Sequence, residues 1–329
     1  MRVLLVGCGV VGVRATRQLL SVQGLGRLII DDVRTAHVND VVRSMGSKTE
    51  ALGERSWGEA APHVVILAGP AGHREKARRA LALGAHVVSV SDSINDVRAL
   101  RSLHDQATAA GLSVVMGAGF APGLTCLLAR HGSVEFASVD EIHVAKTGTA
   151  GPACARQHHE ALRNDGLDWR DGGWVSKPGG SGRELCWFPD PIGGADCYRA
   201  ALSDPLLLHQ AFPDVARITS RVSATRRDRL TSRFPMLRQP HPEAGPGAVR
   251  VEIRGHRQGI SDVVIFGCMD RPSVASGAVL AAVTGAIIDN SVLRPGSGGL
   301  AEMVDAAPIL RELAARGVKC ARFDGVPNR

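Results

Sequence analysis

The first 131 residues alternate short apolar runs with amphipathic stretches. The apolar runs are typical of buried strands, and between them apolar residues recur at helical spacing. The predicted strands span 3–6, 27–31, 63–68, 86–91 and 112–117, and the predicted helices end near 20 or cover 35–45, 73–83 and 94–111. Gly84 and Gly111 mark the carboxyl ends of two of these helices, where a left-handed residue often ends a helix. This alternation predicts an α/β protein with a doubly wound, parallel Rossmann sheet.

Beyond residue 132 the pattern changes to consecutive strand-like runs joined by turns rich in Gly, Pro and Ser. Such runs favour an inserted α+β domain built on a largely antiparallel sheet. The runs lie within 140–146, 173–188, 215–223, 248–255 and 260–267, and we predict one hairpin over 173–188 that turns at 177–183. An apolar helix over 272–290 follows, then a further helix with a break or first turn at Pro308 and a last strand. Residues 238–248 form the most loop-like segment.

The length of 329 residues is about twice a common domain of roughly 150 residues, which favours two domains. No apolar run reaches the ~18 residues of a membrane span, and the longest candidate stops at Asp289. The first apolar run leads into glycines rather than a cleavage site, so no export signal is predicted. We therefore expect a soluble cytoplasmic protein that makes no membrane contact.

Cysteine spacing and net charge narrow the possible ligands. The seven cysteines include no C-x-x-C pair and no metal-like spacing with His, which predicts free thiols and no metal site. The formal charge of +7 comes from scattered arginines, and aromatic residues make up only 4%, so we expect no nucleic-acid partner. The charge suits an anionic cofactor or a carboxylate-bearing small-molecule substrate.

Gly7, Gly9 and Gly12 follow the first strand and open the first helix. In a G-x-G-x-x-G turn the first glycine permits the tight turn, the second lets the backbone approach a pyrophosphate, and the third lets helix and strand pack closely. We therefore predict a dinucleotide site here that also includes Val10 and Val11. The alternative is a tight turn without a ligand.

Asp31 and Asp32 end the second strand, about twenty residues after the glycines, where a carboxylate can bond ribose hydroxyls. A carboxylate repels the 2′-phosphate of NADP, whereas Arg34 can receive one. The cofactor is accordingly predicted to be NAD or NADP, with NAD slightly favoured.

Three further stretches end strands at the same edge of the sheet, where an α/β fold binds its ligand. Ala68, Gly69 and Pro70 follow one strand, Ser91 ends the next, and Gly119 and Phe120 belong to the glycine-rich turn "GAGFAPGL". We predict that all six residues contact the cofactor, with Phe120 beside the nicotinamide half. Turns that only redirect the chain are the alternative.

The chain resembles the saccharopine dehydrogenase-like family of NAD(P)-dependent oxidoreductases. The residues that carry this resemblance are "GCGVVG", "ALGAHVVSVSD", "AAGLSVVMGAGFAPGLTCLLA", "WFPDPIGGADCYRAA", "GAVLAAVTGAII" and "LAEMVDAAPILRELAARGVKCARF". The resemblance implies a Rossmann domain over 1–131, a domain for substrate and dimer contacts over 132–268, and a segment over 269–329 that returns to the Rossmann domain. It also implies a homodimer and hydride transfer at a carbon bonded to nitrogen. Ser89 stands where the family often has an aspartate, so no substrate role is carried over to that position.

Hydride chemistry belongs to the cofactor, so the protein must supply a proton donor or acceptor and a site for substrate carboxylates. Lys146 shares a strand face with Ile142 and Val144 and is predicted to point into the cleft; the alternative is a strand-end lysine in solvent. His158 is the second catalytic candidate, as an acid near neutral pH on a helix that Pro152 opens; the alternative is a histidine that is only solvated, which is the commoner case on a polar helix face.

Lys177 and Arg199 are predicted to bind the substrate. Lys177 flanks the turn at 177–183 together with Arg183, and Arg199 can bind a carboxylate bidentately. The alternative for Lys177 and Arg183 is that charged turn residues serve only solubility. The alternative for Arg199 is a structural ion pair.

Three functions remain open on these grounds. The first is an oxidoreductase acting on the C–N bond of an amino acid or imine. The second is a dinucleotide-binding sensor or partner subunit without turnover, because no motif identifies the acid–base group. The third is a sugar or aldehyde dehydrogenase, which requires a Lys-His or Cys-His set; neither Cys126 nor Cys154 has a clear histidine partner in the sequence.

Overall fold

The computed structural model describes residues 1–70, 72–236, 240–241 and 244–323. Part of the predicted loop at 238–248 and the last six residues of the predicted C-terminal segment lie outside these ranges. The strands are β1 (Arg2–Val6), β2 (Arg27–Asp31), β3 (Thr49–Ala51), β4 (Val64–Leu67), β5 (His86–Ser89), β6 (Ser113–Met116), β7 (Ser138–Thr147), β8 (Gly166–Arg170), β9 (Gly173–Lys177), β10 (Glu184–Phe188), β11 (Gly193–Tyr198), β12 (Arg217–Ser223), β13 (Gly247–Arg257), β14 (Ile260–Asp270), β15 (Gly296–Gly299) and β16 (Cys320–Arg322).

Helices connect most of these strands. They are α1 (Val10–Leu19), α2 (Thr35–Met45), α3 (Trp57–Ala60), α4 (His73–Ala82), α5 (Ile94–Arg101), α6 (His104–Ala109), α7 (Leu124–Ser133), α8 (Pro152–Arg163), α9 (Asp204–Ala211), α10 (Arg226–Thr231), α11 (Pro272–Ile288), α12 (Leu300–Met303) and α13 (Ala306–Ala315). The helix predicted over 94–111 is divided into α5 and α6. Pro308 lies in the first turn of α13, after the break at Val304 and Asp305.

The first sheet is parallel, with the order β15-β6-β5-β4-β1-β2-β3. Its central strands are almost wholly apolar and buried, as expected for strands covered by helices on both faces. The predicted Rossmann sheet is therefore confirmed. The pattern did not reveal β15, because the sequence Gly-Ser-Gly-Gly lacks the apolar side chains that mark a strand.

The second sheet is mixed and largely antiparallel, with the order β10-β11-β12-β7-β13-β14-β16. Strands β12 and β7 run parallel, and β8 and β9 extend the sheet beside β12. The hairpin predicted over 173–188 is wrong: β9 pairs back to β8, and β10 pairs with β11. The Gly-rich segment between β9 and β10 therefore crosses from one strand pair to another.

The C-terminal part of the chain contacts both sheets. Helix α11 is buried over nearly its whole length and packs against α1, and β15 joins the first sheet beside β6. Strand β16 instead pairs with β14 of the second sheet. The domain boundaries after residues 131 and 268 stay predictions. No described helix is long and apolar enough to cross a membrane.

Candidate active site

A cavity of about 610 Å³ lies at the carboxyl ends of the first sheet's strands, between that sheet and the start of α8. In an open α/β sheet this edge is where ligands bind. Most of the cofactor residues predicted from sequence meet here, together with one predicted catalytic residue. They are Gly7, Gly9, Val10, Val11, Asp32, Arg34, Ala68, Gly69, Pro70, Gly119, Phe120 and Lys146.

The three glycines of the first turn differ in how much space a side chain would have at each position. Gly7 has φ +103°, and a Cβ there would lie 2.7 Å from the Gly69 nitrogen. Gly9 caps α1 with nothing within 4 Å of a would-be Cβ, so its backbone is open to a ligand. A Cβ on Gly12 would lie 2.1 Å from the Gly7 oxygen, so Gly12 serves close packing and does not line the cavity.

The second glycine-rich turn folds back on itself, so that Gly119 and Gly123 lie close together. Gly123 has φ +131°, and a Cβ there would lie 2.2 Å from the Gly119 oxygen. The Phe120 N–H donates to Ser276 Oγ of α11 at 3.1 Å, which fixes the turn against that helix. Phe120 is 6% exposed and forms part of the apolar wall of the cavity.

Asp32 and Arg34 form one unit at the end of β2. Asp32 Oδ2 accepts from the Cys8 N–H at 2.6 Å, and Oδ1 accepts from Arg34 Nε at 3.1 Å. Arg34 Nη2 also donates to the Cys8 carbonyl at 3.0 Å. Burial opposes ionisation of Asp32, but the hydrogen bonds from Arg34 and Cys8 prevail and bring its pKa down to about 2. The end of the cavity at β2 therefore carries a carboxylate covered by a guanidinium.

Besides Gly12, two predicted cofactor residues do not line the cavity. Asp31 accepts a hydrogen bond at Oδ2 from Trp57 Nε1 at 3.2 Å. Ser91 is 3% exposed and donates from Oγ to Asp96 Oδ2 at 2.8 Å. Both side chains are thus bonded to other side chains of the protein, which argues against direct contact with a cofactor.

Lys146 lies in the cavity wall and is only 8% exposed, so it is not the solvent-facing strand-end lysine of the alternative. Its Nζ donates to the Ala121 carbonyl at 3.1 Å and lies 3.5 Å from Asp92 Oδ2. Burial alone would lower the pKa of Lys146, but the nearby carboxylates of Asp92 and Asp204 outweigh burial and raise it. Lys146 is therefore an ammonium group at neutral pH.

Asp204 is a further buried group near Lys146. It opens α9, is fully buried, and accepts from Thr125 Oγ1 at 2.6 Å through Oδ1. Burial raises the pKa of Asp204, while Lys146 and Thr125 act in the opposite direction. The negative charge of its ionised form favours protonation of Lys146.

His158 lies on α8 but does not line the cavity. Burial, reinforced by the charge of Lys146, lowers its pKa to about 4. His158 is therefore neutral at pH 7 and cannot hold an acidic proton there, which corrects the expectation of an acid near neutral pH. The neighbouring His159 approaches the Phe234 carbonyl through Nε2 at 2.8 Å.

The two predicted substrate residues lie outside the cavity. Lys177 ends β9 and is exposed. Arg199 Nε lies 3.2 Å from Oδ2 of Asp168, a carboxylate that Arg221 also binds through two hydrogen bonds. Arg199 thus serves the structural ion pair that was its alternative, because its carboxylate partner comes from the chain itself. Arg183 pairs at the surface with Asp196 at 2.9 Å.

Arg156 is a cavity residue that the sequence did not single out. It lies in the first turns of α8, and its side chain makes no hydrogen bond or ion pair with the described residues. A second cavity of about 610 Å³ shares Arg156 and Asp92 with the first and adds Arg98 of α5. A glycine loop followed by Pro152 signalled a helix start here, but no pattern showed which side chain would face the cleft.

Three cysteine thiols in this region are not activated as nucleophiles. Burial raises the pKa of the Cys8 thiol to about 11, and it also raises the pKa values of Cys126 and Cys154. None of these thiols is a thiolate at neutral pH. Across the described ranges, no group of three or more His, Cys, Asp and Glu side chains is arranged to hold a metal ion.

No protein-family model matches this chain. Its fold is similar to apo saccharopine dehydrogenase (L-Glu forming) from Saccharomyces cerevisiae, with a TM-score of 0.73 and 16% identity over 98% of this chain and 99% of that chain. DAP dehydrogenase from C. glutamicum in complex with DAP has a TM-score of 0.51 and 16% sequence identity, over 96% of this chain and 98% of that chain. An engineered D-amino acid dehydrogenase bound to NADP+ has a TM-score of 0.50 and 15% sequence identity, over 96% of this chain and 99% of that chain. The chain thus has the saccharopine dehydrogenase-like fold that its sequence motifs predicted.

Proposed function

We propose that this protein is an NAD(P)-dependent oxidoreductase that transfers a hydride at the C–N bond of an amino acid or imine. The observation that carries the proposal is the shared cavity of the Gly7–Gly12 turn and the Lys146–Asp92 pair. Asp92 follows β5 and Asp32 follows β2, three strands away in the sheet. At about 4.8 Å per strand this separation is roughly 14 Å, so the adenosine end and the reacting end are distinct.

The cavity fits a dinucleotide on structural grounds. The open backbone at Gly9 and the first N–H groups of α1 can face a pyrophosphate, where an anion is favoured. Asp32 can bond the ribose hydroxyls and slightly favours NAD, while Arg34 offers a guanidinium to the 2′-phosphate of NADP. When bound, the cofactor supplies the hydride acceptor or donor.

Lys146 is the proposed proton donor. Its ammonium group, held between the Ala121 carbonyl and Asp92, can donate to a substrate oxygen or nitrogen that gains electron density during reduction. Arg156 can bind a substrate carboxylate in the same cavity, in place of the remote Lys177 and Arg199. The apolar wall at Phe120 and Pro122 limits the access of water.

The first experiment is a fluorescence titration of the purified protein with NADH and NADPH. Mixtures of amino acids with 2-oxoacids or aldehydes are then added while the absorbance of the reduced cofactor is followed. Substrate-dependent oxidation supports the proposal and identifies the cofactor. Tight binding without oxidation over a broad panel favours the non-catalytic sensor, and absence of binding contradicts the dinucleotide assignment.

We also propose that the protein acts as a homodimer, as the sequence resemblance implies. Light scattering of the purified protein across a range of concentrations measures its mass in solution. A mass near twice the chain mass of 34.6 kDa supports the dimer, and a mass near 34.6 kDa contradicts it.

A further inference from the structure

Four polar side chains form a buried network beneath the cavity. His73 and Ser89 are 0% exposed, Ser91 is 3% exposed and Asp96 is 8% exposed. They come from the start of α4, the end of β5 and α5, and none of the four lines the cavity. The proposed chemistry uses none of them directly, so their burial needs another explanation.

The hydrogen bonds of His73 determine its tautomer. Nε2 lies 2.9 Å from the Gly69 carbonyl oxygen, and Nδ1 lies 2.7 Å from Ser89 Oγ. A carbonyl oxygen only accepts, so Nε2 carries the proton and Nδ1 accepts from the Ser89 hydroxyl. Ser89 Oγ in turn accepts from the Ser91 N–H at 3.2 Å. Burial lowers the pKa of His73, consistent with this neutral ring.

Asp96 closes the network from α5. Its Oδ1 accepts from the backbone N–H of His73 at 3.3 Å, and its Oδ2 accepts from Ser91 Oγ at 2.8 Å. The loop after β4 and the loop after β5 are therefore joined through one buried carboxylate. A bond lost at either loop would leave a buried polar group unpaired, which is costly.

Both connected loops form the cavity wall. Gly69 and Pro70 follow β4, and the Gly69 nitrogen lies against the first glycine turn at Gly7. Gln157 of α8 donates to the Pro70 carbonyl from the other side of the cavity. Asp92, the partner of Lys146, directly follows Ser91. The network thus lies between the first glycine turn at Gly7 and the Lys146–Asp92 pair.

We propose that His73, oriented by Ser89, is a positioning residue that holds the Gly69 carbonyl and so sets the affinity of the cavity for the dinucleotide. The proposal rests on the proposed function. It also gives Ser89 a role, since the serine hydroxyl orients the imidazole from inside the protein and makes no substrate contact. A network that only stabilises the fold would change stability without selective effects on cofactor binding.

The test compares two substitutions that each retain one half of the histidine's hydrogen bonding. In His73→Gln the amide nitrogen can reach the position of Nε2 and still donate to Gly69. In His73→Asn the shorter amide can reach Ser89 but not Gly69. Dissociation constants for NADH and NADPH are measured by fluorescence, and thermal unfolding is measured for each variant.

We expect His73→Asn to raise the dissociation constant about tenfold, as the loss of one oriented hydrogen bond would. We expect His73→Gln to stay within about threefold of the unmodified protein, although both variants lose thermal stability. Ser89→Ala should also weaken binding, because it removes the group that orients the ring; it serves as the second variant if His73→Asn does not fold.

Ser297→Ala is the matched control. Ser297 is likewise fully buried, and its hydroxyl donates to the Arg101 carbonyl at 3.2 Å, away from the cavity lining. Its loss should lower the unfolding temperature and leave cofactor affinity unchanged. Equal affinity in His73→Asn, His73→Gln and the unmodified protein would overturn the positioning role. Absence of binding by the unmodified protein would instead overturn the proposed function on which the inference rests.

Discussion

Lys146 shows how the surroundings of a side chain decide its chemistry. Strand alternation places it on the inward face of β7 with Ile142 and Val144. Its partners come from other parts of the chain: the Ala121 carbonyl follows β6 and Asp92 follows β5. Burial without these acceptors would favour a neutral amine, whereas their combination retains the ammonium form.

Replacing Lys146 with Met should impair turnover more than cofactor binding. Loss of a positioned proton donor lowers kcat about 10²- to 10⁴-fold, while the dinucleotide dissociation constant should change less than about threefold. Lys177→Met is the matched control, because Lys177 is exposed and lies outside the cavity. Steady-state kinetics and fluorescence titration check both variants, and an unchanged kcat in Lys146→Met would remove Lys146 from the chemistry.

Gly9 and Gly12 should respond differently to substitution. Gly9→Asp has space for its side chain but sets a carboxylate against the pyrophosphate, so dinucleotide affinity should fall at least tenfold in a folded protein. Gly12→Ala forces a Cβ to within 2.1 Å of the Gly7 oxygen and should lower the unfolding free energy by roughly 1–3 kcal/mol. Titration and urea unfolding separate the two effects. Retained affinity in folded Gly9→Asp contradicts the cofactor site.

At the scale of elements, the contact between α1 and α11 ties the C-terminal part of the chain to the dinucleotide-binding helix. The helices approach closely because Gly277 has no side chain: a Cβ there would lie 2.8 Å from the Arg14 carbonyl carbon. Helix α11 also supplies Ser276, which holds Phe120 of the second glycine-rich turn. Packing between these helices therefore affects the cavity wall.

Gly277→Val should destabilise the protein by roughly 1–3 kcal/mol, because the added methyl groups separate α11 from α1. Gly285→Ala lies on the same helix, and a Cβ there would meet its nearest atom, Val22 Cγ1, at 3.6 Å. This control should be neutral or stabilising by up to about 1 kcal/mol, since alanine favours a helix over glycine. Urea unfolding measures both values. Equal stability of the two variants would contradict the close-packing role of Gly277.

At the scale of the whole molecule, several histidines are neutral in the folded protein. Burial is the main cause that lowers the pKa values of His73, His86 and His143, and it lowers the pKa of His158 from 6.5 to about 4. In the unfolded chain these groups gain protons near pH 6.5. The unfolded state therefore binds more protons than the folded state in mildly acidic solution.

The stability of the protein should consequently fall as the pH drops below about 6.5. Each additional proton bound by the unfolded state steepens this dependence by about 1.4 kcal/mol per pH unit. Urea unfolding between pH 7 and pH 4 measures the slope, and His158→Gln should make it shallower by removing one such group. A urea unfolding midpoint that is independent of pH over this range would contradict the prediction that these histidines are buried in the neutral form.

Much of the fold was predictable because periodicity and glycine punctuation are local properties. They located the strands of the Rossmann sheet except β3 and β15, which carry little apolar signal. The hairpin error has a related origin, since β9 and β10 are neighbours in sequence but pair with different partners. Strand pairing depends on competition between distant segments, which a local pattern does not contain.

For the site, the sequence alone predicted the two glycine turns, the position of Asp32 and Arg34 after β2, and the inward face of Lys146, because each follows from a backbone requirement or from the order and period of the strands. Only the tertiary structure decided that Lys146 meets Asp92, that Asp168 occupies Arg199, and that Arg156 lies in the cavity. It also revealed the connection from His73 through Ser89 and Ser91 to Asp96. The physical reason is that pairing and burial of charged groups depend on distances across the fold, whereas periodicity describes only which face of an element a residue occupies.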